Sequence, residues 1–477
     1  MKIKSTKFFF IFIAVLIIGW SGVFIFNKGI FKSYEEVVAP SGVKILFLKE
    51  KNLPYVYFSI WFLKAGSDYD PPNKSGLNFI TAHLLEQGAG GFSSEEIQDQ
   101  LDYLGASFNA QTRHQYSRFS MSGLSWQEKK LWNIFFKIIT EAHLEEGEFH
   151  HLKQRLIEAR YSKLDDPDSV ADEVWRQLLF PENSPAGQPE EGTVTSLNQI
   201  SLEDIKRFFK NHYVESRPIV TVVGQFSSSL KKEILASFEQ VFTESKLTNS
   251  TNPMPKKASF FKLLKKKDQL QSQIRLGFQS LSFPKNQPRL SVALDLATLI
   301  LGGGGLNNRL MNRLREEMGL TYGVWSFLSL GRSYGLFQLG AQTKTKNTVV
   351  FVEETLKILK QFQDQGVTDA ELKMAKPMLK SRYLQRIDIP EKFLTELIYY
   401  RDYLGTSATF FEDYLSIIED ISLEEVNEAI KIHLKSENLS IFIYGDPSIE
   451  KKLLKIPDLP PLESLSFEDY FSKDLKK

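Results

Sequence analysis

The chain has 477 residues, 42% of them hydrophobic, which is enough for two or three globular units with substantial cores. Its 59 lysines and arginines nearly balance its 58 aspartates and glutamates, which argues against nucleic-acid binding through bulk positive charge. Cysteine is absent, which excludes disulfides, thiolate catalysis, thiolate metal sites and lipid attachment through cysteine.

The first 30 residues have the composition of a membrane anchor. Lys2, Lys4 and Lys7 precede an uncharged run at 8–26, which as a helix can span a bilayer core of about 30 Å. The positive flank predicts that the N-terminus stays inside and that the rest is exported. We interpret residues 1–30 as an uncleaved anchor, with a cleaved signal peptide or a buried helix as alternatives. A short basic N-terminus with one anchor suits a bacterial inner membrane, with the bulk of the chain facing the periplasm.

Strand and helix patterns alternate between residues 43 and 163. Runs rich in β-branched and aromatic residues predict strands at 43–49, 55–63, 108–111 and 118–122. Apolar residues at helical spacing predict helices at 76–86, 95–104, 126–142 and 147–163. Strands interleaved with helices indicate an α+β layer architecture.

A repeat of equal length gives the clearest sign of domain organisation. Residues 201–224 read SLEDIKRFFKNHYVESRPIVTVVG, and residues 422–445 read SLEEVNEAIKIHLKSENLSIFIYG. Each copy begins with an N-cap serine followed by acidic residues, and each ends in a β-rich run closed by glycine. His212 and His433 occupy the same offset in the two copies, which favours a structural role for both. The repeat predicts two homologous domains in tandem.

We therefore divide the chain into an anchor (1–30), an N-terminal domain (36–243), a linker (244–267), a C-terminal domain (268–450) and a tail (451–477). The linker begins with the polar sequence ESKLTNSTNPMPKK, which suits an extended connection. The basic and apolar run FFKLLKKK that follows is interpreted as a solvated strand edge or the end of the linker. The tail is rich in proline and charge, and we expect it to pack loosely.

The segment at 55–89, YVYFSIWFLKAGSDYDPPNKSGLNFITAHLLEQGA, resembles the first strand, the AGS turn and the first catalytic helix of the insulinase and mitochondrial-processing-peptidase family of zinc peptidases. That helix usually opens GL-x-H-x-x-E-H. Its two histidines bind Zn²⁺, its glutamate acts as general base, and a glutamate on a distant helix is the third protein ligand. Counted from Gly76, the positions of the motif fall on Phe79, Ala82 and His83, and the distant glutamate falls on Glu158.

The resemblance therefore implies no catalytic residue and no metal site on this chain. One imidazole and one carboxylate do not hold a catalytic zinc, and an alanine at position 82 leaves no general base. We expect His83 and Glu158 to be relict positions in a former pocket, where they can hydrogen-bond to each other. Weak metal binding there is the alternative. A later register, His83-Leu-Leu-Glu86-Gln87, is rejected, because it would start four residues late and leave no spacer before Gly88.

The segment at 299–326, LILGGGGLNNRLMNRLREEMGLTYGVWS, resembles the family's LGGG-x-x-S-R-L-x-x-x-L-R-E-x-x-G-L-x-Y segment. In family members with this pattern, the arginine and the tyrosine bind the substrate backbone near the scissile bond, and here they are Arg315 and Tyr322. A guanidinium offers a rigid fork to a carbonyl or carboxylate, and a phenol can donate to a developing oxyanion. Taken singly, the glycine run could be a flexible turn and the arginines surface ion-pair residues. The combined spacing favours a substrate-binding pair.

The resemblance extends over about residues 36–450 and implies a fold and a function. The expected fold is α+β, with two tandem domains, each a mainly antiparallel sheet backed by helices, that face each other as a clam shell around a peptide chamber. The expected function is the non-catalytic, substrate-binding subunit of a heterodimeric zinc metallopeptidase. A homologous partner would carry the zinc, and this chain would hold no cofactor. The alternatives are a non-proteolytic assembly scaffold and an independent zinc peptidase with an atypical site.

Overall fold

Two β-sheets form the framework of the protein. A computed structural model describes residues 23–28, 31–182, 184–239, 242, 258–305, 307–407 and 409–475, with backbone only for 23–28 and 31. The strands are β1 (Val23–Lys28), β2 (Phe31–Val38), β3 (Lys44–Lys49), β4 (Tyr55–Phe62), β5 (Gly88–Ala89), β6 (Phe92–Ser93), β7 (Ser107–Thr112), β8 (Ser117–Leu124), β9 (Ile219–Gly224), β10 (Phe261–Lys265), β11 (Gln271–Ser280), β12 (Thr321–Leu330), β13 (Gly335–Lys344), β14 (Ser440–Gly445) and β15 (Leu462–Ser466).

Helices pack on both sheets. They are α1 (Leu77–Leu84), α2 (Ser94–Tyr103), α3 (Glu128–Thr140), α4 (Glu146–Leu164), α5 (Pro167–Leu179), α6 (Val194–Gln199), α7 (Leu202–Phe208), α8 (Ser228–Ser237), α9 (Pro288–Thr298), α10 (Thr348–Gln365), α11 (Asp369–Gln385), α12 (Pro390–Leu397), α13 (Phe410–Asp420), α14 (Leu423–His433), α15 (Glu450–Leu453) and α16 (Phe467–Tyr470). Four π-helical segments extend the framework: Phe209–Val214, Leu299–Gly303, Met311–Glu317 and Ile398–Leu404.

The local predictions for the N-terminal half are confirmed. The four predicted strands are β3, β4, β7 and β8, and the four predicted helices are α1 to α4, with bounds that differ by a few residues at most. These segments carry a strong apolar period, so their local pattern and their tertiary packing agree.

The predicted tandem organisation is visible in the strand order. The N-terminal sheet runs β1-β2-β3-β9-β4-β8-β7 and the C-terminal sheet runs β12-β13-β11-β14-β10-β15. Five strands, β7-β8-β4-β9-β3, therefore have counterparts in the same spatial order, β12-β13-β11-β14-β10. The two copies of the sequence repeat form α7 with β9 and α14 with β14. Pairing is mainly antiparallel, with parallel exceptions such as β3 with β9 and β10 with β14.

Each sheet has one face covered by a helix from the opposite half. In the N-terminal sheet, Leu46, Leu48 and Trp61 belong to the same buried cluster as Phe393 and Leu394 of α12. This sheet's other face packs on its own helices through residues such as Ile45 and Phe47.

The C-terminal sheet shows the reciprocal arrangement. Phe442 and Tyr444 of β14 pack in one cluster with Val170, Val174 and Trp175 of α5. The clam shell that the resemblance implies is therefore wrong for the two halves of this chain, because interlocked helices hold them together and leave at the seam a cavity of about 530 Å³, the size of a small-molecule site, rather than a peptide chamber.

The predicted membrane anchor falls mostly outside the described residues. Of the predicted anchor (1–30), residues 23–28 lie in β1, which pairs antiparallel with β2; they include the last four residues of the uncharged run at 8–26. Among the residues that the structure describes, no helix combines the length and the apolar character needed to cross a bilayer.

The end of the predicted linker and the tail are parts of the C-terminal sheet. Strand β10, within the FFKLLKKK run, lies between β14 and β15, and Leu263 and Leu264 are fully buried. Strand β15 comes from the tail and pairs with β10 in parallel. Beyond it, Asp474 is buried and accepts hydrogen bonds from Arg160 of α4 (2.8 and 3.1 Å). The predicted solvated edge is therefore wrong for the FFKLLKKK run, which forms an interior strand, and the tail supplies the edge strand and a buried ion pair instead of packing loosely.

The helix of the sequence repeat begins in the same way in both halves. Asp204 of α7 and Glu425 of α14 are the acidic residues of capping boxes. Asp204 accepts a hydrogen bond from Lys74 (2.5 Å), just before α1, and Glu425 binds Arg289 of α9. Burial by itself raises the pKa of Asp204, but hydrogen bonds from Lys74 and Ser201 outweigh it and lower this pKa to about 2.

Replacing Asp204 with asparagine should make the free energy of unfolding less dependent on pH in the acidic range. Because the folded-state pKa of Asp204 lies below its ordinary value, the carboxylate stabilises the fold above about pH 4, and this contribution is lost as the pH falls towards 2. We expect Asp204→Asn to lower the free energy of unfolding at pH 7 by about 2 kcal/mol. Urea titrations at each pH should show the difference from the unmodified chain closing between pH 4 and pH 2.

The matched control is Asp99→Asn, which changes an exposed aspartate on α2. It should follow the unmodified chain at every pH. A difference for Asp204→Asn that is as large at pH 2 as at pH 7 would contradict the assigned role of the carboxylate.

Candidate functional site

A buried carboxylate fixes the start of helix α1. Asp70 accepts hydrogen bonds from the backbone N–H groups of Gly76 (2.9 Å) and Asn78 (2.8 Å). Burial raises the pKa of Asp70 well above its usual range, although these backbone hydrogen bonds act in the opposite direction. Gly76 has φ +93°, and a Cβ there would lie 2.8 Å from the carbonyl oxygen of Glu191, so the position requires glycine. The helix therefore begins where the family motif begins.

The face of α1 that would bind zinc in the family is apolar apart from one histidine. The rings of Phe79 and His83 are one turn apart and in contact, with centroids separated by 4.4 Å. Ala82 is fully buried, so the position of the general base has been absorbed into the core. The polar neighbour of His83 is Glu86, with Nδ1 and Oε1 3.8 Å apart. Two of the three motif positions on this helix therefore carry apolar side chains, and the third is an imidazole.

Glu158 does not complete a site with His83. It lies on the exposed side of α4, where its Oε1 accepts a hydrogen bond from the side chain of Gln154 (3.0 Å). Within the described residues it forms no hydrogen bond or ion pair with His83, so the expected contact between the two relict positions is not made. The described part of the chain also contains no group of three or more histidine, aspartate and glutamate side chains that could hold a metal ion.

The glycine run brings the second motif against strand β12. A Cβ on Gly302 would lie 2.7 Å from both Cδ1 of Leu310 and Oγ of Ser326, so a larger residue would push the segment away from the strand. Gly305 has φ +78°, a left-handed conformation that favours glycine. These glycines therefore serve close packing and chain reversal, and they place the segment Met311–Glu317 beside the start of β12.

Arg315 and Tyr322 lie together at the outer edge of the C-terminal sheet. Arg315 is in the π-helical segment Met311–Glu317, and Tyr322 is near the start of β12, the edge strand. The guanidinium Cζ lies 5.1 Å from the centroid of the Tyr322 ring, within the range of a cation–π contact. The side chain of Tyr322 is 90% exposed, and Arg315 is partly exposed with Nε 3.4 Å from Oε1 of Glu316.

The neighbouring arginines differ from Arg315 in their contacts. Arg309 forms a two-point ion pair with Glu371 (2.6 and 2.7 Å). Arg313 pairs with Glu317 and Glu354. Both therefore have the surface ion-pair role that arginines on such a helix usually have. Among the residues that the structure describes, the carboxylate paired with Arg315 is that of the adjacent, exposed Glu316, so the guanidinium remains accessible to a bound molecule.

The accessible pair does not face the seam between the two halves. The cavity at that seam has a volume of about 530 Å³ and is lined by other residues. Arg315 and Tyr322 instead face outward from a sheet edge. The arrangement can offer a guanidinium fork and a phenol to an extended backbone, but a reactive centre opposite the pair would have to come from another molecule.

No pattern in the sequence indicates the environment of His114. In the structure, Nδ1 of His114 lies 2.9 Å from Oγ of Ser67, and Nε2 lies 3.3 Å from Oε1 of Glu190. Burial lowers the pKa of His114, and the nearby Arg176 acts in the same direction. By contrast, His212 donates to the carbonyl of Lys64 (2.6 Å) inside the core, in keeping with the structural role inferred from the repeat.

Comparison with known sequences places both halves of the chain in one family. The family model "Insulinase (Peptidase family M16)" matches residues 46–180, and the model "Peptidase M16 inactive domain" matches residues 199–379. A Rickettsia felis protein named an uncharacterized zinc protease is 27% identical over 391 residues, covering 80% of this chain and 91% of the relative. A Helicobacter pylori protein named non-peptidase homolog YmxG is 25% identical over 424 residues, covering 86% and 93%.

Solved structures share the fold. A peptidase M16 inactive-domain protein from Pseudomonas fluorescens superimposes with a TM-score of 0.78 at 22% identity, covering 87% of this chain and 98% of that chain. The periplasmic protease PqqL from Escherichia coli has a TM-score of 0.72 at 12% identity, covering 94% of this chain but 49% of that chain. With family models matched on both halves and this fold, the chain belongs to the insulinase (M16) family of peptidases.

Proposed function

We propose that this chain is the non-catalytic, substrate-binding subunit of a heteromeric zinc metallopeptidase that acts on peptides. The observation that carries the proposal is the outward-facing pair of Arg315 and Tyr322, found in a chain whose own zinc helix presents Phe79 and Ala82. The phenol of Tyr322 is 90% exposed and contributes little to the packing of its own domain. Its placement beside the accessible guanidinium of Arg315 therefore favours a binding role.

The position of the pair supports a partner chain. Since the two halves are interlocked, a peptide held by Arg315 and Tyr322 would lie on the outer surface of this chain. In PqqL a single chain contains the region matched here and leaves about half of its length outside the match. A second subunit of similar size, facing the edge strand β12, would supply the corresponding half for this protein.

The chemistry would be divided between the two subunits. Zinc on a homologous partner with an intact His-x-x-Glu-His helix would activate the attacking water. Arg315 would hold a backbone carbonyl or a carboxylate of the peptide, because its planar fork fits such groups. The hydroxyl of Tyr322 would donate to the carbonyl oxygen as negative charge develops on it.

The proposed location is the periplasmic side of a bacterial inner membrane, with residues 8–26 as the anchor. The support comes from the lysines before this run and from the uncharged length of the run itself. PqqL, which shares the fold, is described as periplasmic.

A non-proteolytic scaffold is the second candidate function. The relative from Helicobacter pylori is named a non-peptidase homolog, and the interlocked halves form a rigid unit suited to assembly. This function predicts a stable complex that cleaves no peptide and in which Tyr322→Phe has no effect. An independent zinc peptidase, as the names of other relatives suggest, would require metal on the isolated chain.

Mixing experiments test the subunit proposal. The purified chain should hydrolyse no peptide alone, and adding a zinc-bearing homologue purified from the same membrane should give hydrolysis. We expect Arg315→Ala to lower kcat/KM of the mixture by about 10- to 100-fold and Tyr322→Phe by about tenfold or more, because each removes a hydrogen-bond donor that acts in the transition state.

Arg313→Ala is the matched control, since Arg313 lies in the same π-helical segment but pairs with Glu317 and Glu354. It should leave hydrolysis unchanged. Equal hydrolysis by mixtures containing the unmodified chain and Arg315→Ala would argue strongly against the proposal, and a stable inactive complex would favour the scaffold.

Metal analysis separates the subunit from an independent peptidase. The isolated chain should retain less than about 0.1 zinc ion per molecule after dialysis, because one imidazole does not hold catalytic zinc. His83→Ala should give the same value in elemental analysis. Near-stoichiometric zinc that disappears in His83→Ala would instead establish a metal site on this chain.

A further inference from the structure

A cavity of about 530 Å³ lies at the seam between the two halves. The N-terminal half supplies its walls from β4, the turn between β7 and β8, and α5, and the C-terminal half supplies them from the β12–β13 turn and the region 386–403. Its volume is in the range of small-molecule sites. Arg315 and Tyr322 do not line it, so it is separate from the proposed peptide-binding pair.

The walls of this seam cavity carry an excess of positive charge. Four arginines face two glutamates, a formal excess of two: Arg113, Arg118, Arg176 and Arg386 against Glu190 and Glu396. Arg386 pairs with Glu396, and Glu190 contacts His114, which its lowered pKa keeps neutral near pH 7. Within the part of the chain that the structure describes, the other three guanidinium groups have no carboxylate within ion-pair distance.

Arg118 is held in place by contacts with both halves. Its guanidinium lies 5.1 Å from the ring of Trp61, its cross-strand neighbour on β4, and its Nη1 donates to Oγ1 of Thr395 (3.1 Å) in α12. Its Nε is buried and has no hydrogen-bond partner. A partly buried cation without a carboxylate at ion-pair distance is unfavourable on its own, and an anion in the cavity that Arg118 lines would offset its charge.

Arg176 is oriented in the same manner from helix α5. Its Nε donates to the carbonyl oxygen of Ala186 (2.6 Å), and its Nη2 donates to the hydroxyl of Tyr334 (3.0 Å) in the C-terminal half. Both acceptors are neutral, so they fix the direction of the guanidinium without cancelling its charge. Two preoriented arginines, each tied across the seam, form a site that fits bidentate recognition of anionic oxygens.

We propose that the seam cavity binds a small molecule carrying two or more negative charges on carboxylate or phosphate groups. Arg118 and Arg176 contact these groups, and Arg113, which also lines the cavity, adds to its positive field. Tyr116, Tyr399 and Trp61 form apolar walls for the rest of the ligand. Because both principal arginines are anchored across the seam, the ligand stabilises the joined halves.

Calorimetric titration of the purified full-length chain tests this site. Inorganic pyrophosphate and citrate are the two probes, at constant ionic strength in sodium chloride. We expect saturable binding of at least one probe and a rise in Tm with its concentration. Arg118→Gln and Arg176→Gln should each weaken binding by about tenfold or more, because each removes a charged hydrogen-bond donor. Arg155→Gln, an exposed arginine on α4, is the control.

The outcomes divide clearly. Binding of pyrophosphate alone indicates a phosphorylated ligand, and binding of citrate alone indicates a polycarboxylate. Binding of both indicates that the site recognises the charge pattern that they share. Each of these three outcomes supports the site if Arg155→Gln binds the probe normally. Circular dichroism checks the fold, and Arg176→Gln decides if Arg118→Gln does not fold. The absence of saturable binding up to about 10 mM, unchanged affinity in both cavity variants, or equal weakening in Arg155→Gln would overturn the proposal.

Discussion

The exchange of helices between the two sheets is the constraint on which the rest of the structure depends. Helix α5 covers the C-terminal sheet and α12 covers the N-terminal sheet, so each half completes the core of the other. Separating the halves would expose the apolar faces that carry Leu46, Leu48 and Trp61, and burial of such faces is the main driving force of folding. The halves therefore act as one body, and the surface available to a polypeptide is the outside of this body.

The changes in α1 remove chemistry while they preserve structure. Phe79 and Ala82 are apolar, one packed on His83 and the other fully buried, and Asp70 still fixes the first turn of the helix. The second motif shows the opposite, because the side chains of Arg315 and Tyr322 contribute little to packing and remain accessible to a bound molecule. One chain thus combines apolar side chains at two positions of the zinc motif with an accessible arginine–tyrosine pair, and this combination is why the proposed function includes a second subunit.

Local sequence patterns were sufficient for part of the fold. Helices α1 to α4 and the strands around them follow from apolar period and from caps, and the repeat at 201–224 and 422–445 identifies the tandem domains. The prediction of a solvated edge is wrong for the run FFKLLKKK, and it arose because its lysines are typical of a solvent-exposed segment. Strand β3, KILFLK, is its counterpart in the first half and shows the same lysine-flanked apolar core. Comparing the two halves strand by strand would have revealed β10.

Long-range packing could not be read from the sequence. The contact of α12 with the first sheet joins segments separated by most of the chain, and no local pattern of Phe393 or Leu394 indicates which sheet they cover. The same holds for the seam cavity. In the sequence nothing distinguishes Arg118, Arg176 and His114 from other polar residues. Only the fold brings the turn containing Ser67 and the region around Tyr334 beside them. The clam shell inferred from the family pattern failed for this reason.

The interlocking also governs the order in which the chain can fold. When the ribosome has made the first half, the sheet face with Trp61 has no cover, because α12 lies at residues 390–397. Strand β15 pairs at the edge of the second sheet and Asp474 binds Arg160 of the first half, so these contacts form after α12 has been made. During synthesis the apolar sheet face with Trp61 is therefore exposed to aggregation until α12 emerges.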